Sequence, residues 1–155
     1  MNNNDVLHRV RYIFDYSDQV MLSIFQQGGY ESNQSELLTW LKREEEPGFV
    51  ACKDIELARF LNGLIINNRG AKDGVIPEPE TVLNNNIILR KLKIALDLQA
   101  DDLLAILKLV NVEPSKHELS ALFRRADHKN YRQCQDQLFR QFLNGMEKRY
   151  RQGQV

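Results

Sequence analysis

Phe60-Leu61-Asn62-Gly63 returns as Phe142-Leu143-Asn144-Gly145, 82 residues further along the chain, and this pair decides the architecture. Carried back without a gap, the same offset lays Asn2-Asn3-Asn4 on Asn84-Asn85-Asn86, Leu7 on Leu89, Asp15 on Asp97 and Ile24 on Ile106. It also pairs Glu36-Leu37 with Glu118-Leu119, Cys52 with Cys134 and Asp54 with Asp136. About 18 identities fall in roughly 68 aligned positions, far more than unrelated sequence supplies, so the chain contains an internal duplication. Between the copies, Gly70 to Glu80 is polar and carries Pro77 and Pro79, the composition of a linker. We read a first repeat over 1–69, a linker over 70–83 and a second repeat over 84–155.

Inside each repeat the apolar spacing is helical. Val6, Leu7, Val10, Ile13 and Phe14 recur at three- and four-residue steps, as do Ile88, Leu89, Leu92, Ala95 and Leu96. Ser17 and Asp18 supply cap chemistry for a second helix with Val20, Met21, Ile24 and Phe25 on its apolar face, closed by Gly28-Gly29. Asn33-x-x-Glu36 and Ser115-x-x-Glu118 read as capping boxes that open a third helix. Glu44 to Val50 and Ala126 to Arg132 read as irregular connections. Asp54 and Asp136 are then expected as N-caps of a fourth helix bearing Leu57, Phe60, Leu61 and Leu64, closed in the first copy by Gly70. No alternating strand pattern persists, which predicts an all-α fold of two tandem four-helix repeats, packed with pseudo-twofold symmetry.

The 155 residues carry 21 basic and 21 acidic side chains, are 43% hydrophobic and include four prolines. A disordered chain has lower hydrophobicity and a larger net charge. No apolar run approaches the roughly 18 residues of a membrane helix. The start, Met1-Asn2-Asn3-Asn4-Asp5, lacks signal-peptide chemistry, so the expected location is cytoplasmic, with no membrane partner.

The repeated Asn-Asn-Asn, the Arg9-x-Arg11 or Lys91-x-Lys93 helix, the aspartate before a short second helix, Cys-x-Asp and Phe-Leu-Asn-Gly together resemble the YehS-like family of small bacterial proteins. The resemblance spans nearly the whole chain. It implies a bacterial cytosolic protein built from two tandem copies of a domain of unknown function, and it brings no activity, cofactor or site residue.

The residues offer several candidate sites. Cys52 and Cys134 share one repeat position, and a thiolate near a helix start is a potential nucleophile or metal ligand. A zinc site needs about four ligands, usually with a close Cys or His pair. Neither cysteine has one, and His128, six residues before Cys134, has Glu46 as its counterpart. We therefore expect no metal and no cofactor, with both cysteines as unpaired core residues. Gly28-Gly29-Tyr30 precedes a helix as a phosphate loop would, yet no Lys-Ser/Thr pair follows and the second copy has Val110-Asn111-Val112, which favours a helix C-cap. In Phe-Leu-Asn-Gly the glycine permits a close helix approach, expected where the copies pack together, and the asparagine is placed to bond a neighbouring connection. His8, His117 and His128 face Arg90, Ser35 and Glu46 across the repeat, and no nucleophile or cofactor motif accompanies them, so no catalysis is expected.

Charge is divided unevenly. The first 83 residues hold 8 basic and 13 acidic side chains and the remainder 13 and 8, so the halves carry −5 and +5. One meaning is attraction between units or between chains. The other is nucleic acid. Helices two and three have helix-turn-helix spacing, with Lys116, His117, Ser120, Arg124 and Arg125 offered to a groove, joined by Lys129 and Arg132. The first copy would offer Gln34, Ser35, Thr39, Lys42 and Arg43, beside the repelling run Glu44-Glu45-Glu46. Any two helices with a short turn meet that spacing. The favoured expectation is a non-enzymatic helical binding or adaptor protein that engages a protein partner or itself. The alternative is a nucleic-acid-binding regulator using Lys116, Arg124, Arg125, Lys129 and Arg132.

Overall fold

The computed structural model describes residues 1–151, and all of its regular structure is helical. Helices α1 (Asn3–Phe14), α2 (Asp18–Gln27), α3 (Gln34–Leu41) and α4 (Asp54–Arg69) make one compact unit, Met1–Leu83, which includes a 3-10 turn at Lys72–Gly74. Helices α5 (Asn85–Ala95), α6 (Ala100–Lys108), α7 (Lys116–Ala121) and α8 (Asp136–Met146) make the second, which begins at Asn84 and adds a π-helical turn at Glu147–Arg151. All four helices of the second unit start 82 residues after their counterparts, so the duplication preserves helix starts and not only residue types.

Local chemistry sets those starts and stops. Asn2 and Asn84 cap α1 and α5, accepting the backbone N–H of Asp5 and Ile87 at 2.8 Å each. Asp15 and Asp97 leave these helices in the left-handed region, at φ 53° and 52°, a conformation aspartate tolerates better than most residues. Gly29 and Asn111 occupy one repeat position at φ 91° and 62°, so a glycine is replaced by the side chain best suited to positive φ. The turn after α2 is thereby a conserved backbone bend, in line with the C-cap expected there.

The three consecutive asparagines have three different tasks. After the cap, Asn3 donates to the Cys52 carbonyl at 3.0 Å and the Asp54 carboxylate at 2.7 Å, and Asn85 treats Cys134 and Asp136 alike at 3.0 and 2.8 Å. Buried Asn4 donates to the carbonyls of Trp40 and Val50 at 3.0 and 2.9 Å and accepts the Cys52 N–H at 2.9 Å. Asn86 does the same to Leu122, Arg132 and Cys134 at 3.0, 2.9 and 2.8 Å. Each buried amide thus satisfies the irregular connection between the third and fourth helices.

Two expectations change here. Asp54 and Asp136 are the first helical residues and not the caps, which are Lys53 and Gln135. Their carboxylates serve the asparagine, and Asp54 also accepts the Leu83 N–H at 2.8 Å. The glycines of Phe-Leu-Asn-Gly do permit close approach, but to the second helix of their own unit. A Cβ on Gly63 would lie 1.8 Å from the Ile24 carbonyl oxygen, and one on Gly145 2.4 Å from that of Ile106. The neighbouring Asn62 is buried whereas Asn144 is exposed, so the shared asparagine is not a shared contact.

Replacing Asn4 by alanine strands two carbonyls and one N–H in the interior. Asn4→Ala and Asn86→Ala should each lower unfolding free energy by about 3 kcal/mol in urea titrations. Unchanged midpoints would show that these bonds do not hold the units together. Gly63→Ala should cost about as much, and Gly145→Ala less, because the overlap there is smaller and its neighbour has less far to move.

Candidate functional site: a groove beside a basic loop

The two units differ most where α2, α3 and α4, or α6, α7 and α8, surround the turn before the third helix. In the first unit Phe25, Tyr30 and Trp40 form an aromatic cluster. Phe25 lies 6.0 Å from Tyr30 and 5.3 Å from Trp40 between ring centroids, and Tyr30 and Trp40 are 6.0 Å apart. The Tyr30 hydroxyl donates to Glu36 at 2.9 Å and the Arg59 guanidinium stands 5.9 Å from its ring. Burial, then the bond to Glu36, push the Tyr30 phenol up to about 12.

The corresponding residues in the second unit are Leu107, Val112 and Leu122. Three aromatic rings have become three smaller aliphatic side chains, and a groove of about 320 Å³ lies against them, with Leu119 and Leu138 in its walls. Glu118, the counterpart of Glu36, and Arg132, the counterpart of Val50, bring opposite charges to this groove. Glu118 completes the expected capping box. Its carboxylate accepts the Ser115 N–H at 3.2 Å while the Ser115 hydroxyl accepts the Glu118 N–H at 3.0 Å. Bonds to Ser115, with Arg132 nearby, hold its carboxyl below the usual range. In the first copy only half of the box forms. Asn33 accepts the Glu36 N–H at 2.9 Å, but the Glu36 carboxylate takes the hydroxyls of Tyr30 and Ser32.

The residues selected from the sequence divide around this groove. Lys116 opens α7 and is exposed, as are His117 and Ser120. Helix α7 ends at Ala121, so Arg124 and Arg125 lie beyond it and are not on a recognition helix. Likewise Lys42 and Arg43 follow α3, where Lys42 donates to the Pro47 carbonyl at 2.8 Å. Arg124 is half-buried, while Arg125, Lys129 and Arg132 are exposed in the loop that follows. That loop is ordered by its own backbone. His128 N–H donates to Arg125 at 2.9 Å, Tyr131 N–H to His128 at 3.0 Å, and Arg132 N–H returns to Ala121 at 3.1 Å. Arg125 pairs with Asp127 at 3.3 Å, with both side chains largely exposed, so the pair contributes little to stability. Lys116 is separated from the loop by the length of α7, about 9 Å for six residues. The basic pairs of the first helices are partly committed elsewhere: Arg11 bridges to Asp18 at 2.7 Å, and Lys93 stands 5.7 Å from the Phe123 ring.

A family described as "Protein of unknown function (DUF1456)" matches the chain twice, over residues 3–70 and 85–152. The chain belongs to this family. It is also similar to "Uncharacterized protein YehS" of Escherichia coli (strain K12), 45% identical over 151 residues that cover 96% of each chain. No solved structure matches it. The two DUF1456 matches coincide with the two sets of four helices, as the repeated motifs implied. Among the described residues no helix is long and apolar enough to cross a membrane.

Cys52 and Cys134 are both buried free thiols, held by the Asn4 and Asn86 amides through their backbone N–H groups. Burial, with nearby carboxylates, pushes the thiols up to about 12 and 11, which is the opposite of an activated nucleophile. Ellman's reagent at pH 8 should therefore react with neither until the protein unfolds. A raised folded-state value also has a definite sign. The thiol stays neutral in the folded protein while its unfolded counterpart ionises near 9, so the stability it contributes is complete below pH 9 and is lost as pH rises toward 11–12. Urea midpoints measured across that window should fall less steeply in Cys52→Ala than in the parent.

Proposed function

We propose that this DUF1456 protein is a non-enzymatic binding module of the cytosol that engages a protein partner or a second copy of itself. The observation that carries this reading is the divergence between its units. Helix starts, buried asparagines and the glycine approach are common to both, whereas the aromatic cluster of one unit is an open groove with charged margins in the other. A scaffold retained beneath a changed surface supports recognition as the work of the second unit.

Exposure of Lys116, Arg125, Lys129 and Arg132 favours nucleic acid as the second reading. Against it, Arg124 and Arg125 do not extend α7, and Glu118 and Asp127 stand among the cations.

Fluorescence anisotropy with mixed duplex DNA and RNA at low and high salt separates the two. We expect no binding tighter than about 1 µM at low salt. Tighter binding that weakens with salt and disappears in Arg124→Glu/Arg125→Glu would replace the first reading with the second.

A further inference from the structure

We propose that the groove of the second unit receives the tyrosine side chain of an acidic protein segment. This rests on the protein-binding reading above and specifies the chemistry of the partner.

The first unit shows what the shared scaffold accepts at this place. Tyr30 fills it from within, packed on Phe25 and Trp40, and delivers its hydroxyl to Glu36. The second unit has lost the ring, through Val112 and Leu122, but has kept the acceptor as Glu118. Ser115 occupies one oxygen of that carboxylate, and a carboxylate accepts more than one bond. A phenol entering from outside would lie against the half-buried Val112 and Leu138 with its O–H directed to Glu118. An anionic side chain in the same position would be repelled by Glu118, and a phenylalanine would leave the acceptor unused.

Charge complementarity specifies the flanks. Arg132 stands at the groove where the first unit has Val50, and its loop adds exposed Arg125 and Lys129 in a unit carrying +5. Residues on either side of the docked tyrosine would meet these cations, so the matching segment is acidic.

The test uses the full, isotope-labelled chain and a blocked peptide with one tyrosine flanked on each side by two glutamates. Amide shifts should concentrate at Val112, Leu119, Leu122 and Arg132. Changing the peptide's tyrosine to phenylalanine should weaken binding about fivefold, and to alanine at least about tenfold. A lysine-flanked peptide should bind more weakly still. In the protein, Val112→Tyr/Leu122→Trp rebuilds the cluster of the first unit. It should keep or raise the melting temperature while abolishing peptide binding. Arg132→Val, which installs the first unit's residue, should leave the melt unchanged and weaken the acidic peptide severalfold.

Equal binding of the tyrosine and alanine peptides, or shifts confined to Arg125 and Lys129, would overturn the groove proposal and reveal charge contact alone. Absence of any shift at millimolar peptide would also overturn it. Sedimentation of the same protein then decides the broader reading separately, since concentration-dependent self-association would preserve it without the groove.

Discussion

Asn4 and Asn86 commit both amide protons and the carbonyl oxygen to backbone groups at the end of the third helix and in the connection from it to the fourth. That connection has no ladder or helix to satisfy its own carbonyls, and although most of it is exposed it dips into the interior at Cys52 or Cys134 just before the fourth helix. A hydrocarbon at position 4 would leave three backbone groups without partners, at a cost no gain in packing of one side chain offsets. Much else depends on this contact. It places Cys52 and Cys134, whose carbonyls meet the adjacent asparagine, and it puts Asp54 and Asp136 at the start of α4 and α8. The fourth helix is thereby positioned to press its glycine against the second. One buried amide per unit links the start of that unit to the residues that open its fourth helix.

Contacts between residues a few positions apart are the ones that can be read from sequence. The Ser17 cap, the Ser115–Glu118 box, the Gly28 and Gly70 ends and the apolar faces all follow from such spacing, and the structure has each of them except that Val20, assigned to the apolar face of α2, is exposed. Long-range competition is where reading fails. Asp54 looks like a cap, but Asn3, 51 residues away in sequence, takes its carboxylate. Glu36 looks like the closing partner of a box, but Tyr30 and Ser32 hold it. The asparagine triplet is visible as a repeated motif, but the tasks of its second and third members are not, because their partners lie 36 to 51 residues away. The groove was missed for a different reason. Its signal is a difference between the copies, aromatic to aliphatic at Phe25/Leu107, Tyr30/Val112 and Trp40/Leu122, whereas the duplication directs attention to identities.

Helix crossing and the groove are connected. In the first unit both Gly28 and Gly63 are required where α2 meets α4, since a Cβ on Gly28 would lie 1.8 Å from the Arg59 carbonyl oxygen. In the second unit Val110 replaces Gly28, and only Gly145 remains, with a less severe overlap. The tighter crossing accompanies the full aromatic cluster and the wider one the open groove. Each tilted aromatic pair contributes about 0.5–1.5 kcal/mol beyond area burial, so the second unit forgoes stability that the same backbone obtains elsewhere in this chain. The capping box with Ser115 accounts for Glu118, but fold maintenance gives no reason to lose those rings.

The loops preceding the fourth helices reinforce that argument through charge. Glu46 N–H closes on Arg43 just as His128 N–H closes on Arg125, both at 2.9 Å, so the backbone turn is the same in the two copies. Their side chains are not. Glu44-Glu45-Glu46 faces Ala126-Asp127-His128 across the repeat, and the position that leaves the loop changes from Val50 to Arg132. An acidic loop beside a filled cluster has been set against a basic loop beside an open groove. Side chains that do not enter the core are free to vary without unfolding it. Their coordinated change at one end of one unit, over a backbone held by the same asparagine, is a change of surface chemistry on an unchanged scaffold.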